Sequence, residues 1–163
     1  MNKKIINILK FSTWFLFVLY LLILVYVILL KGGSAISMAK YRSEISLSQK
    51  ILGINFVALK TIILYLKGEP SVRIAIENLL GNILAFSPLG FLLPLLFKKY
   101  DRLKTVFLIS FSISLFIEVL QLIYCLGSCD IDDIILNVLG SLLGFGVYRL
   151  FENFYKRKIE VVS

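Results

Sequence analysis

Glu118 and Gln121 stand three residues apart, and Asp130, Asp132, Asp133 and Asn137 follow them, all between two long apolar runs. Acids and amides in that setting are costly unless they pair or face a watery cavity, so such a cluster marks a functional site by default. Earlier in the chain, Asn78 and Asn82 lie four residues apart and share a helix face. The chemistry open to this set is narrow. Glu118 and Asp133 can act as general acid and base. Oxygens of Asp130, Asp133 and Asn137 can hold a divalent cation. Without catalysis, Asn78, Asn82, Glu118, Gln121, Asp130, Asp133 and Asn137 form a polar binding pocket.

Other chemistries are excluded. The chain has no His, so neither a Ser-His-Asp set nor a His-ligated metal site can form. The two cysteines, Cys125 and Cys129, are too few for a thiolate metal site and have no His to activate them. As two small apolar fillers they need no disulfide. No cofactor is expected beyond the divalent cation for which those oxygens leave room.

These residues are carried by a membrane chain. Of 163 residues, 59% are hydrophobic and only 17% charged, and the mean hydropathy is +0.91. That balance is far from a soluble domain. The expectation is an all-α integral membrane bundle with spans at about 11–30, 74–97, 105–126 and 134–151, each near the ~20 residues that cross a bilayer. Between the first two spans, 51–66 is apolar but interrupted by Asn55, Lys60 and Thr61, which suits an interfacial or re-entrant segment. The run at 11–30 is too long for the core of a cleaved signal peptide.

The net charge of +8 comes from Lys and Arg placed between apolar runs, not along one polar face, so it describes topology and not a nucleic-acid partner. With basic clusters inside, both termini and the 98–104 loop are cytoplasmic, and 31–73 and 127–133 lie outside. The third span carries Ser110, Ser114, Glu118, Gln121 and Cys125 on one stripe. Pro88 and Pro94 predict a kink in the second span. In the fourth, Gly140 and Gly144 form a Gly-x-x-x-Gly pattern that lets helices approach closely. At ~1.5 Å per residue, Asn82 and Glu118 fall about 12 Å below the outer surface, where the acids of the fourth span also enter. The plainer reading of the cluster is a hydrogen-bonded plug, with Asp130 or Asp132 as a helix cap.

At these residues the chain resembles the VanZ-like family of small membrane proteins. The matching elements are Asn82-x5-Pro88-Leu89-Gly90, Glu118-x2-Gln121, and Gly127-x2-Asp130-x2-Asp133-x3-Asn137-x2-Gly140-x3-Gly144, and the strongest match covers 78–151. Two departures stand out. A family-like Asn-x-x-Pro-Phe loop would fall on Asn55 to Leu59, where the Pro and Phe are absent. Gly127 and Ser128 stand where many relatives have an Arg, which leaves Arg73 or Lys67 to balance the acids. The resemblance implies a plasma-membrane protein that lowers susceptibility to the lipoglycopeptide teicoplanin, apart from the D-Ala-D-lactate route to vancomycin resistance.

Three functions follow in order. The first is an accessory antibiotic-resistance protein of the cell envelope, whose outer-leaflet pocket meets the glycopeptide or a lipid-linked wall precursor, with membrane lipids as neighbours. The second is a membrane-embedded enzyme using Glu118 and Asp133 on a lipid or wall precursor; the absence of a nucleophilic motif ranks it lower. The third is a structural or partner-binding subunit.

Overall fold

The computed structural model describes residues 3–30, 54–124 and 129–162. Among them the elements are α1 (Lys3–Leu30), a short α2 (Lys60–Leu66), α3 (Val72–Leu96), α4 (Leu103–Tyr124) and α5 (Ile131–Val162), with a 3-10 turn at Lys98–Tyr100 joining α3 to α4. No strand occurs among the described residues, and the chain is the all-α membrane bundle that its composition requires. Val72–Leu96, Leu103–Tyr124 and Ile131–Tyr155 are each long and apolar enough to cross a membrane, and α1 adds the apolar run Phe11–Val27. Of the 51–66 segment, the part from Ile54 onward is described, and its seven-residue helix is only about 10 Å long, far short of a bilayer.

Lipid tails are as apolar as leucine, so close packing and interhelical hydrogen bonds must hold such helices together. The seam between α3 and α5 is made by glycine. A Cβ on Gly140 would overlap the Ile83 carbonyl, one on Gly144 the Ser87 carbonyl, and one on Gly90 the Ser141 carbonyl. Backbone therefore meets backbone along this seam. Ser141 adds a hydroxyl that donates to the Phe86 carbonyl at 3.2 Å.

Helix α3 starts at Ser71, whose hydroxyl accepts from the Ile74 N–H at 3.3 Å. It continues through Pro88 and Pro94. Pro88 has no N–H for the Leu84 carbonyl, and the Ser87 hydroxyl donates to that carbonyl instead, at 3.2 Å. On the other side of α3, Leu24 of α1 packs with Phe86 and Leu89, and the Tyr20 hydroxyl donates to the Ala85 carbonyl at 2.9 Å. At the end of the bundle where α3 turns into α4, Leu93, Val106, Phe145 and Tyr148 form a second apolar cluster. Tyr148 there accepts from Lys98 at 3.0 Å and donates to Asp101 at 3.4 Å. Arg149 reaches both Asp101 and Glu152.

Candidate functional site

The stripe on α4 is the face that helix turns inward: Ser110, Ser114 and Glu118 are buried, and Gln121 is half-buried. Cys125, like Gly127 and Ser128, lies outside the described residues. Opposite this stripe stands the N-terminal end of α5, where the acids of the sequence take separate duties.

Asp130 is the cap of α5. Its Oδ1 accepts from the Asp132 N–H at 2.9 Å, satisfying a donor that a helix start leaves without a partner. The same carboxylate accepts from Asn55 at 2.9 Å and from the Thr61 hydroxyl at 2.6 Å. Asn55 also pairs with it through the backbone as an isolated parallel bridge, donating to the Cys129 carbonyl at 3.0 Å and accepting from Ile131 at 3.1 Å.

Asp132 is fully buried. Its Oδ1 accepts from the Leu59 N–H at 2.6 Å, and its Oδ2 from Thr61 and Ile62 at 2.7 and 3.1 Å. These are the unpaired donors at the start of α2, so an acid of α5 caps a helix some 70 residues earlier in sequence. Leu59 sits at φ 67°, a left-handed conformation that costs a non-glycine residue about 1–2 kcal/mol. The bond to Asp132 offsets that cost.

Two of the acids thus anchor the 55–62 segment on the end of α5. The others line a cavity of about 150 Å³ between α3, α4 and α5, whose walls include Glu77, Asn82, Glu118, Gln121, Asp133 and Asn137. Within it the Glu118 carboxylate accepts from the Asp130 N–H at 3.0 Å. Asn82 donates to Asp133 at 2.5 Å, and Asn137 donates to Ser114 at 2.9 Å. Among the described residues, two buried acceptors of this wall have no partner: Gln121 Oε1 and Asn137 Oδ1.

The structure therefore brings together Asn82, Glu118, Gln121, Asp133 and Asn137. Asn78 is not among the cavity residues; it donates to the Ile74 carbonyl of its own helix at 2.9 Å, and Glu77 takes the place in the wall. Asp130 stands behind the wall, with both oxygens engaged. Gly140 and Gly144 lie on the α3–α5 seam. Among the described residues, no group of three His, Cys, Asp or Glu side chains is placed to hold a metal ion. Arg73 pairs with Glu77 of the wall at 2.7 Å, both side chains largely exposed.

Acidic surroundings show in the groups nearby. The Cys129 thiol is pushed up by burial first, and then by the negative charges of Glu118, Asp130 and Asp133. The Tyr65 phenol of α2 is raised by burial, then by Asp133 and Asp130. Asp132, Asn55 and Thr61 were the site-building residues that sequence reasoning left out of its pocket. The one signal was the polar interruption of an apolar run at Asn55 and Thr61.

The family model described as VanZ/LLP1 matches residues 17–152. Protein VanZ of Enterococcus faecium is 33% identical over 82 residues, which are 50% of this chain and 50% of that protein. The chain thus matches about half the length of that curated relative. No solved structure matches the chain.

Proposed function

Because the chain belongs to the VanZ-like family, we propose that it is a multi-pass plasma-membrane protein that lowers susceptibility to teicoplanin-type lipoglycopeptides. The cavity between α3, α4 and α5 binds a polar group of the drug or of a lipid-linked wall component. The observation that carries this reading is the cavity itself: acids and amides from three helices meet at one end of the bundle, with two buried acceptors that have no partner among the described residues. The basic residues Lys98, Lys99, Arg102 and Lys104 lie at the opposite end, so the rule of positive loops inside faces the cavity outward and puts both termini in the cytoplasm. A pocket so placed meets head groups at the outer leaflet, and its helices meet acyl chains.

A second reading is favoured by one feature, the presence of two carboxylates, Glu118 and Asp133, in the same wall. In that case the protein is an enzyme that moves a proton on a lipid or wall precursor. The two readings part at Glu118→Gln. An amide keeps the shape and still accepts from the Asp130 N–H, but it cannot transfer a proton.

The test is expression in a susceptible Gram-positive host, with teicoplanin and vancomycin susceptibility measured against an empty vector and membrane abundance checked by blot. Protection selective for teicoplanin is the expected result. Protection retained in Glu118→Gln at equal abundance supports binding, and its complete loss supports the enzyme. A well-expressed wild type that protects against neither drug overturns the resistance role.

A further inference from the structure

We propose that the cavity binds a protonated primary amine, an R–NH3+ group whose N–H bonds meet acceptors of its wall residues, Gln121 Oε1 and Asn137 Oδ1 first among them. This deepens, and rests on, the reading of the cavity as a ligand site. The argument is a census of donors and acceptors. Asn137, which lines the cavity, is about 95% buried (relative exposure 5%), its Nδ2 is committed to Ser114, and its buried Oδ1 has no partner among the described residues. Gln121 Oε1 is a second buried acceptor on a residue of the same wall, also unpartnered among the described residues. The Asn82 amide, a wall donor, is committed to Asp133. Glu118 and Asp133 are the acids of the wall besides Glu77, which is paired with Arg73, and no Lys or Arg is among the described residues that line the space.

Such a space repels phosphate and carboxylate groups and favours a cation. It also favours a cation that can donate, because a buried acceptor left unmade is costly and an ammonium supplies three donors and no acceptor. A bare metal ion would draw on the same carboxylate and amide oxygens, and sodium is the comparison for it; among the described residues no three His, Cys, Asp or Glu side chains converge for one. A quaternary ammonium has the charge but nothing to donate. At about 150 Å³ the cavity has room for an ammonium and a short carbon stem, since a water molecule's share of liquid is about 30 Å³. The amine can come from a lipid head group or from a soluble molecule.

The test uses the full chain in uncharged detergent at pH 7, following its thermal unfolding midpoint as ethylammonium is added, with tetramethylammonium and sodium at equal ionic strength as comparisons. A saturable rise of about 5–10 °C near 100 times the Kd is expected with ethylammonium alone. Gln121→Met, a half-buried position, is expected to weaken binding about tenfold or more, and its midpoint without amine shows that it folds. A second arm compares nanodiscs of phosphatidylglycerol with and without phosphatidylethanolamine. A Gln121-dependent shift there identifies a lipid-borne amine, and a shift with ethylammonium alone identifies a soluble one. No saturable shift in either arm, an equal shift with tetramethylammonium, or unchanged affinity in folded Gln121→Met overturns the proposal and leaves the cavity to water. Protection without amine binding sinks this inference alone; amine binding without protection sinks the resistance role alone.

Discussion

Replacing Asp132 with Asn should release the 55–62 segment while leaving the bundle intact. In the wild type the two oxygens of Asp132 accept from Leu59, Thr61 and Ile62 at 2.6, 2.7 and 3.1 Å, and the side chain is wholly buried. Asn keeps one of those oxygens and turns an NH2 group toward the donors on the other side. At least one backbone N–H then faces another donor, and the remaining bonds lose their charge assistance. With a charge-assisted bond worth about 1.5–3 kcal/mol and an unmade buried donor costing about 1–3 kcal/mol, the segment should lose about 2–4 kcal/mol of local stability. At 1.4 kcal/mol per factor of ten, its amides should exchange with deuterium about 30- to 700-fold faster. Hydrogen exchange read by mass spectrometry on a peptide spanning 57–66 measures this directly, with a peptide from the middle of α4 as the internal control. Exchange within about threefold of wild type at Leu59, Thr61 and Ile62 would refute the assignment of Asp132 as the anchor. Equal acceleration in α4 would show global unfolding and refute its local character. Asp130→Asn acts on the same segment through Asn55 and Thr61, so the double variant should cost less than the sum of the two singles.

Gly144→Ala places a methyl group on the Ser87 carbonyl and should lower the unfolding midpoint and membrane abundance sharply, on the scale of about 3 kcal/mol for overpacking, whereas Gly146→Ala, with open space around it, should be neutral or slightly stabilising. In a Cys125→Ser background, maleimide labelling of Cys129 should follow a pH profile displaced above that of an ordinary thiol, because burial and then Glu118, Asp130 and Asp133 favour the protonated form. Glu118→Gln should move that profile part of the way back down. Tyr148→Phe removes one of the two partners of Lys98, which also donates to Glu152 at 3.2 Å, and a donor to Asp101, and should destabilise the protein by about 1–2 kcal/mol in thermal unfolding. Arg149→Ala, at a half-exposed pair, should cost less than about 1 kcal/mol in the same assay.

What the sequence made legible was whatever depends on local pattern. Apolar runs of about 20 residues announced α3, α4 and α5 because a helix needs about that length to cross a bilayer. The period of the stripe on α4 showed its inward face, since Ser110, Ser114 and Glu118 recur every four residues. Gly140 and Gly144 announced a close seam, although its partner carbonyls, of Ile83 and Ser87 on α3, were not visible in the spacing. Contacts distant in sequence were hidden. Nothing in the order of residues links Asn55 to Asp130, 75 positions later, and the departure from a family loop pattern at Asn55 drew attention from the residue that forms the bridge. The positive φ of Leu59 had no signal because the position is not glycine. Asn78 shares a stripe with Asn82, but one turn farther out its amide finds the carbonyl of Ile74, and Glu77 faces the cavity. The acids illustrate the general difficulty. Asp130, Asp132 and Asp133 are near neighbours of one type, yet successive helix positions point about 100° apart, so one caps α5, one caps α2 and one lines the cavity.

The central claim is that the cavity, and not merely the presence of the bundle, gives protection. Its most direct test is teicoplanin susceptibility of hosts carrying Asn137→Ala or Gln121→Met, set against Leu139→Ala, an exposed apolar position on the same helix as Asn137, all matched for membrane abundance. Protection largely lost in the two cavity variants and kept in Leu139→Ala is the predicted result. Full protection from the cavity variants at equal abundance would contradict the account.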